Sequence, residues 1–140
     1  MIYKTKLNEF LSKNKEIDEY CSFISFKELN NNVSWNKWSS LSNEELEVYK
    51  DLKMRHAFAQ MVLLEEWLSI KEYANKNGIQ IIGDIPFYVG YDSSDVYYHK
   101  EAFLLDEKYN PIEIAGVPPD YFSKDGQRWG NPIWNWDYLY

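Results

Sequence analysis

The stretch "IQIIGDIPFYVG" (Ile79–Gly90) predicts a buried β-strand in the second half of the chain. It is a short apolar run with β-branched residues, it is bounded by glycines, and a long helical pattern precedes it. A helix followed by a buried strand is half of a β-α-β unit, and a nearly continuous apolar strand is typical of a parallel sheet covered on both faces. The sequence therefore favours an α/β fold.

An acidic residue, Asp84, stands where the apolar core of this predicted strand ends. In α/β architectures, ligands bind at the C-terminal ends of strands, so this carboxylate is a candidate site residue. The alternative is that Asp84 caps a helix or closes a turn, which are common roles of aspartate. The local pattern leaves both interpretations open.

A second and longer signal lies immediately before the strand and predicts a helix. Ser42 followed by Glu45 is a capping box, in which each residue satisfies a backbone N–H near the other. Apolar residues then recur at helical spacing until Gly78, a natural C-terminal stop. A helix from Glu44 to Asn77 would be roughly 50 Å long. That is long for a globular domain, so a break or kink near Arg55 is the alternative.

The N-terminal part of the chain also carries a helical pattern. Apolar residues fall at spacings of three and four from Leu7 to Leu29, and the asparagines at 30–32 end the pattern. Trp35 and Trp38 follow three residues apart, which places both on one face if this segment is helical. Packing is the simplest role for both tryptophans.

After the strand, the chain from Val89 to Pro132 is predicted to be mostly loop. Within it, "AFLLDEKYNPIEIAG" fits two short strands around a turn at Tyr109–Pro111. The following "GVPPDYFSKDGQRWGNP" (Gly116–Pro132) has two adjacent prolines, three glycines and three aromatic residues, and is predicted to be a surface loop. Long structureless segments in compact domains are usually functional or disordered, and this one is too aromatic for disorder.

Composition and charge narrow the classes of function. The 140-residue chain has a net charge of −7, which argues against nucleic acid and anionic membranes as partners, since phosphate binding needs clustered Lys and Arg. No run approaches the ~20 apolar residues of a membrane span, and the N-terminus lacks the apolar core of a secretory signal. The single cysteine, Cys21, is predicted to be a small buried side chain in a reducing compartment. These features predict a cytoplasmic location.

Metal binding has little support in the sequence. Two histidines and one cysteine do not make a structural zinc site. Calcium binding is not supported either, because the EF-hand spacing is absent from Asp84, Asp92, Asp95 and Asp120. There is neither a glycine-rich phosphate loop nor a nucleophile elbow. Paired carboxylates of the kind used in glycoside chemistry stay open, although composition does not single out a pair.

Four motifs follow one another in the second half of the chain: "GDIP" (Gly83–Pro86), "DSSDV" (Asp92–Val96), "FLLD" (Phe103–Asp106) and "AGVPPDYFSKDGQRWGNP" (Ala115–Pro132). In order and spacing they resemble the 4-α-glucanotransferases of glycoside hydrolase family 77, also called amylomaltases or disproportionating enzymes. The last motif is long and specific to this family. The upstream helical segment is similar as well, so the resemblance covers about residues 8–138. Tyr97 departs from the pattern, because the family often has Trp there.

The resemblance implies a (β/α)8 barrel with inserted subdomains, of which this chain would be an internal slice. Residues 1–78 would be a helical segment, and residues 79–140 would hold one barrel strand and a long aromatic insertion at the active site. The implied activity is transfer of α-1,4-glucan chains between malto-oligosaccharides or to glucose by retaining double displacement, without cofactor or metal. The family's nucleophile Asp, acid/base Glu and stabilising Asp would lie beyond Tyr140, so this chain alone is expected to be inactive.

The resemblance also implies which residues bind the glucan. The rings of Tyr121 and Phe122 would stack on glucose, and Asp84 would be the supporting acid at the end of the third barrel strand. Stiffening of the loop is the alternative role for Trp129 and Asn131. The full predicted set of substrate-binding residues is Asp84, Asp120, Tyr121, Phe122, Gln127, Trp129 and Asn131.

Two other interpretations stay open beside that of an enzyme segment. The chain would be a truncated module that binds α-glucans without catalysis, or a truncated product without function. A barrel slice leaves strand edges and apolar surface uncovered, so self-association of the chain is a further expectation.

Overall fold

The structure, a computed structural model, describes residues 2–140, with side chains from Thr5 onward, and falls into two compact units. The first unit contains the described residues up to 33 and Lys37–Ile85. The second contains Ser34–Asn36 and Pro86–Tyr140. The main division between the units therefore lies after Ile85.

Three helices build the first unit, namely α1 (Ile2–Lys13), α2 (Lys15–Leu29) and α3 (Asn43–Lys76). The prediction of one helix up to Leu29 is wrong at Asn14, where φ is −130° and ψ is 76°. This break allows α1 and α2 to turn and pack separately against α3. Their shared core consists of Leu7, Leu11, Cys21, Ala57 and Met61.

Cys21 is fully buried in this core, as predicted. Burial raises the pKa of its thiol to about 11, so the group stays protonated at neutral pH. The predicted end of α2 is also confirmed, because Asn31 and Asn32 take the left-handed φ angles of 56° and 59° that asparagine tolerates.

Helix α3 runs for 34 residues without the break considered near Arg55. Its capping box is confirmed: Ser42 Oγ accepts the Glu45 amide at 3.3 Å, and Glu45 Oε2 accepts the Ser42 amide at 2.8 Å. The hydrogen bond from the Ser42 amide, followed by that from the Ser42 hydroxyl, lowers the pKa of the Glu45 carboxyl. Gly78 ends the helix at a φ of 74°, in the left-handed region that favours glycine.

The predicted strand within residues 79–90 is not formed, and this is the main correction to the sequence analysis. None of these residues lies in a strand, and Ile82 and Ile85 are 92% and 81% exposed. A β-strand needs a neighbouring edge for its backbone hydrogen bonds. No other described segment pairs with residues 79–90, since the two-stranded sheet and the isolated bridges join other residues.

The second unit is built around an antiparallel hairpin of β1 (Ile114–Val117) and β2 (Gln127–Pro132). Gly116 permits the close approach of the two strands, because a Cβ there would lie 2.4 Å from the carbonyl oxygen of Gln127. The predicted surface loop therefore consists partly of paired strand. Its irregular part is confined to residues 118–126, which we call the hairpin tip.

Short elements complete the second unit: helices α4 (Ser94–Tyr98) and α5 (Trp136–Leu139) and the 3-10 turn Lys100–Ala102. The predicted turn near Tyr109 is formed, since Tyr109 has a φ of 61° and the Asp106 amide donates to the Asn110 carbonyl at 2.9 Å. The segments on either side of this turn meet in the antiparallel bridge between Leu105 and Pro111, and the Ile112 amide donates to the Leu104 carbonyl at 3.0 Å. The two predicted segments therefore pair around the turn, although only the stretch from Ile114 onward is a full strand, and its partner is β2.

Trp35 and Trp38 do not share a face. Trp35 begins the 3-10 turn Trp35–Lys37 and belongs to the second unit, whereas Trp38 belongs to the first. The Trp38 ring packs on Phe23 and Phe26 at centroid distances of 5.1 and 5.2 Å. The spacing argument fails because the segment makes a single turn and does not continue as a helix.

Candidate functional site

The hairpin tip presents two aromatic side chains to solvent. Tyr121 is 97% exposed and Phe122 is 89% exposed. Their ring centroids are 5.6 Å apart at an interplanar angle of 90°, so the two rings show their faces in different directions. Adjacent large rings with so little packing expose apolar area that a binding partner would cover.

The backbone of the tip is held by Asp120. Its Oδ1 accepts the amide of Phe122 at 2.9 Å and the amide of Ser123 at 2.7 Å. The Asp120 amide donates in turn to the Ser123 carbonyl at 2.9 Å. This carboxylate, predicted to bind substrate, is therefore hydrogen-bonded to its own loop.

Two further contacts close the base of the tip. Ser123 Oγ donates to the Gly126 carbonyl at 2.7 Å. Gly126 has a φ of 73°, and a Cβ at this position would lie 2.5 Å from the Val117 carbonyl oxygen. The return of the chain into β2 therefore requires glycine for both its backbone angle and its space.

Gly126→Ala is expected to destabilise the second unit by more than about 1 kcal/mol, because alanine there is strained and meets backbone atoms. Gly90→Ala is the matched control in the same unit, since a Cβ at Gly90 would have no heavy atom within 4 Å and Gly90 has no left-handed φ. Urea-induced unfolding of both variants measures the difference. Equal unfolding midpoints for the two variants would contradict the prediction.

Gln127 and Trp129 form a pair at the start of β2. They are two residues apart, which places their side chains on the same side of a strand. The Trp129 indole Nε1 donates to Gln127 Oε1 at 3.0 Å, and the Trp129 ring meets the Tyr88 ring edge-on at 6.1 Å. The indole is 46% exposed, so much of its surface is open to a ligand.

Asn131 has a structural partner. Its Nδ2 donates to the Val89 carbonyl at 2.8 Å, which ties β2 to the segment after Pro86. A second tie runs from the Trp134 indole Nε1 to the Phe87 carbonyl at 2.8 Å. The amide of Asn131 thus matches the alternative in which it stiffens the hairpin.

Asp84 lies in the first unit, whereas the other six predicted residues lie in the second. Its side chain is exposed, and its Oδ1 accepts the amide of the neighbouring Ile85 at 2.8 Å. This hydrogen bond is local, and residues 79–87 form no turn, so neither the binding role nor the turn role of Asp84 is decided by it.

The sequence analysis missed Tyr88, which packs against the Trp129 indole. The assignment of Ile79–Gly90 to a buried strand concealed it. The available signal was the aromatic pair Phe87–Tyr88 directly after a proline, a position where a buried strand is disfavoured.

Across residues 5–140, no three His, Cys, Asp or Glu side chains gather into a group that could hold a metal ion. Among the helices that the structure describes, none combines the length and the apolar character needed to cross a membrane.

Comparison with known proteins relates the whole described chain to one family. The model of a family described as 4-alpha-glucanotransferase matches residues 2–140. The 4-alpha-glucanotransferase of Clostridium butyricum is 44% identical, over 89% of this chain and 28% of that protein. The Thermus thermophilus 4-alpha-glucanotransferase is 40% identical, over 88% of this chain and 26% of its own length.

A solved structure gives the same relation in three dimensions. The amylomaltase from Streptococcus agalactiae in complex with acarbose superposes with a TM-score of 0.84 at 40% sequence identity. The match covers 96% of this chain and 29% of that one. The chain thus spans less than a third of the length of these relatives.

Proposed function

Because this chain belongs to the 4-alpha-glucanotransferase family, glycoside hydrolase family 77, we propose that the full-length protein transfers α-1,4-glucan chains between malto-oligosaccharides or to glucose. The observation that carries the proposal is the hairpin tip, with Tyr121 and Phe122 almost fully exposed. Sugar rings offer apolar C–H faces that pack on aromatic rings. The acarbose bound by the Streptococcus agalactiae relative supports a saccharide as the ligand.

The proposed reaction is a retaining double displacement. One carboxylate attacks the anomeric carbon to form a glycosyl-enzyme ester, while a second, about 5–5.5 Å away in retaining enzymes, protonates the leaving oxygen and then activates the acceptor. We place these carboxylates in the full-length protein outside this chain. The whole would be a (β/α)8 barrel of which this chain is one slice.

Within this chain, the tip and the adjacent pair on β2 would contribute acceptor binding. A transferase must deliver the ester to a glucan hydroxyl in preference to water. Tyr121 and Phe122 would cover the acceptor and exclude water, which favours transfer by positioning and desolvation. The exposed Trp129 indole, oriented by Gln127, would line a neighbouring sugar position.

The test is incubation of the full-length protein with maltotriose. Transfer produces glucose together with chains longer than maltotriose, and product lengths measured by chromatography detect both. The isolated 140-residue chain is expected to produce neither, because the proposed carboxylates are not part of it. Glucan binding by the full-length protein without any longer products would favour the binding-module interpretation over transfer.

A further inference from the structure

We propose that Asp120 is a positioning residue, which orders the hairpin tip so that Tyr121 and Phe122 are presented to the glucan and which does not itself bind sugar. This inference rests on the proposed function, since it assigns how the acceptor surface is held. It replaces the substrate-binding role that the sequence predicts for this carboxylate.

The first argument is where the Asp120 carboxylate is directed. Its Oδ1 accepts the amides of Phe122 and Ser123, the second and third residues after it. A single oxygen thereby fixes the backbone on the C-terminal side of both aromatic residues. The hydrogen bond from the Asp120 amide to the Ser123 carbonyl closes the same four residues into one turn.

The second argument is that little else holds the two rings. With exposed fractions of 97% and 89%, Tyr121 and Phe122 make almost no packing contacts apart from each other. The preceding Pro118 and Pro119 have fixed φ angles but carry no N–H group to bond the tip. Local hydrogen bonds must therefore counter the conformational entropy of the exposed turn.

The expected consequence is a change in the fraction of molecules with an ordered tip. When only a fraction of the protein is competent to bind, the apparent affinity falls by that fraction. Loss of the Asp120 carboxylate should therefore raise the KM for maltotriose about tenfold, with kcat changed by less than about twofold.

Two substitutions separate positioning from a direct contact with sugar. Asp120→Asn retains an oxygen at the same distance from the backbone, so it can accept the same two amides and should behave like the wild type. Asp120→Glu keeps the charge but moves the carboxylate outward by one methylene, so the turn should loosen. If the negative charge itself bound sugar, Asp120→Glu would keep its function and Asp120→Asn would lose it.

The experiment compares these variants and Asp120→Ala in the full-length protein. Hydrogen exchange reports the protection of the Phe122 and Ser123 amides, and maltotriose kinetics report KM and kcat. Asp125→Ala is the matched control, because Asp125 lies on the same tip and its carboxylate has no hydrogen bond recorded among the described residues. It should leave both readouts near wild type.

The inference holds if Asp120→Ala and Asp120→Glu lose amide protection and raise KM while Asp120→Asn does neither. Unchanged exchange and KM in Asp120→Ala would overturn it, as would a functional Asp120→Glu beside a defective Asp120→Asn. A wild-type protein without transfer would instead refute the proposed function. Hydrogen exchange of the Phe122 and Ser123 amides would then still show whether Asp120 orders the hairpin tip.

Discussion

Replacing both Tyr121 and Phe122 by alanine in the full-length protein is expected to raise the ratio of hydrolysis to transfer about tenfold, while total turnover falls. Both rings are exposed on the hairpin tip, and the proposed function has them cover the acceptor sugar. Losing about 1.4 kcal/mol of acceptor binding, a size typical of aromatic contacts, corresponds to a factor of ten. Water does not need an aromatic binding surface, so the rate of hydrolysis of the ester would fall less than the rate of transfer.

Two readouts on one substrate measure this ratio: new reducing ends report hydrolysis, and the distribution of product lengths reports transfer. The matched control exchanges the two side chains, as Tyr121→Phe with Phe122→Tyr. This variant retains both rings and should keep the wild-type ratio. If the double alanine variant folds and its ratio does not change, the pair does not select the acceptor.

Replacing Trp35 by alanine is expected to destabilise the second unit by about 3–5 kcal/mol, the range for loss of a buried large aromatic side chain. Trp35 is only 6% exposed, and its indole Nε1 donates to the Tyr91 carbonyl at 2.9 Å. Its ring lies 5.2 Å from Tyr91, 5.8 Å from Tyr97 and 6.2 Å from Tyr109.

A cation completes this aromatic cluster. Lys100 Nζ lies 5.1 Å from the Trp35 ring, 4.4 Å from Tyr97 and 5.5 Å from Tyr109. Burial lowers the pKa of the Lys100 ammonium group. Removal of Trp35 would leave a cavity and take away one of the three ring faces that contact the Lys100 ammonium group.

The loss of stability in Trp35→Ala is measured by urea-induced unfolding. Hydrogen exchange of the amides in residues 86–140 monitors this unfolding. Trp136→Ala is the control, because Trp136 belongs to the same unit but is 56% exposed. Trp136→Ala should lower the free energy of unfolding by much less than Trp35→Ala does. Equal losses of stability in the two variants would show that Trp35 is not the central packing residue.

Signals that act over a few neighbouring residues were sufficient to predict much of the helical unit. The capping box at Ser42 and Glu45, the stop at Gly78 and the end of α2 at residues 30–32 all formed as expected. Each depends on one side chain or one backbone angle and on partners within four residues. Such interactions form wherever the local chain is helical.

Signals that need a distant partner were less reliable. The apolar pattern of Ile79–Gly90 predicts a strand, but a strand exists only where a second edge accepts its hydrogen bonds, and the described chain offers none. Conversely, Gln127–Pro132, which is mostly polar and contains a glycine and a proline, became a strand because β1 pairs with it. Pairing between residues remote in sequence cannot be read from either segment alone.

The same distinction applies to the candidate site. The motif at Ala115–Pro132 was enough to identify the family and the aromatic pair, because a long specific motif carries that information without a fold. The hydrogen-bond partners of the polar site residues became visible only in the tertiary structure. Asp120 turns back on its own backbone and Asn131 reaches the Val89 carbonyl. The Asp120 partners lie only two and three residues along the chain, whereas the Val89 carbonyl is 42 residues from Asn131, so only the folding of the second unit brings that pair together.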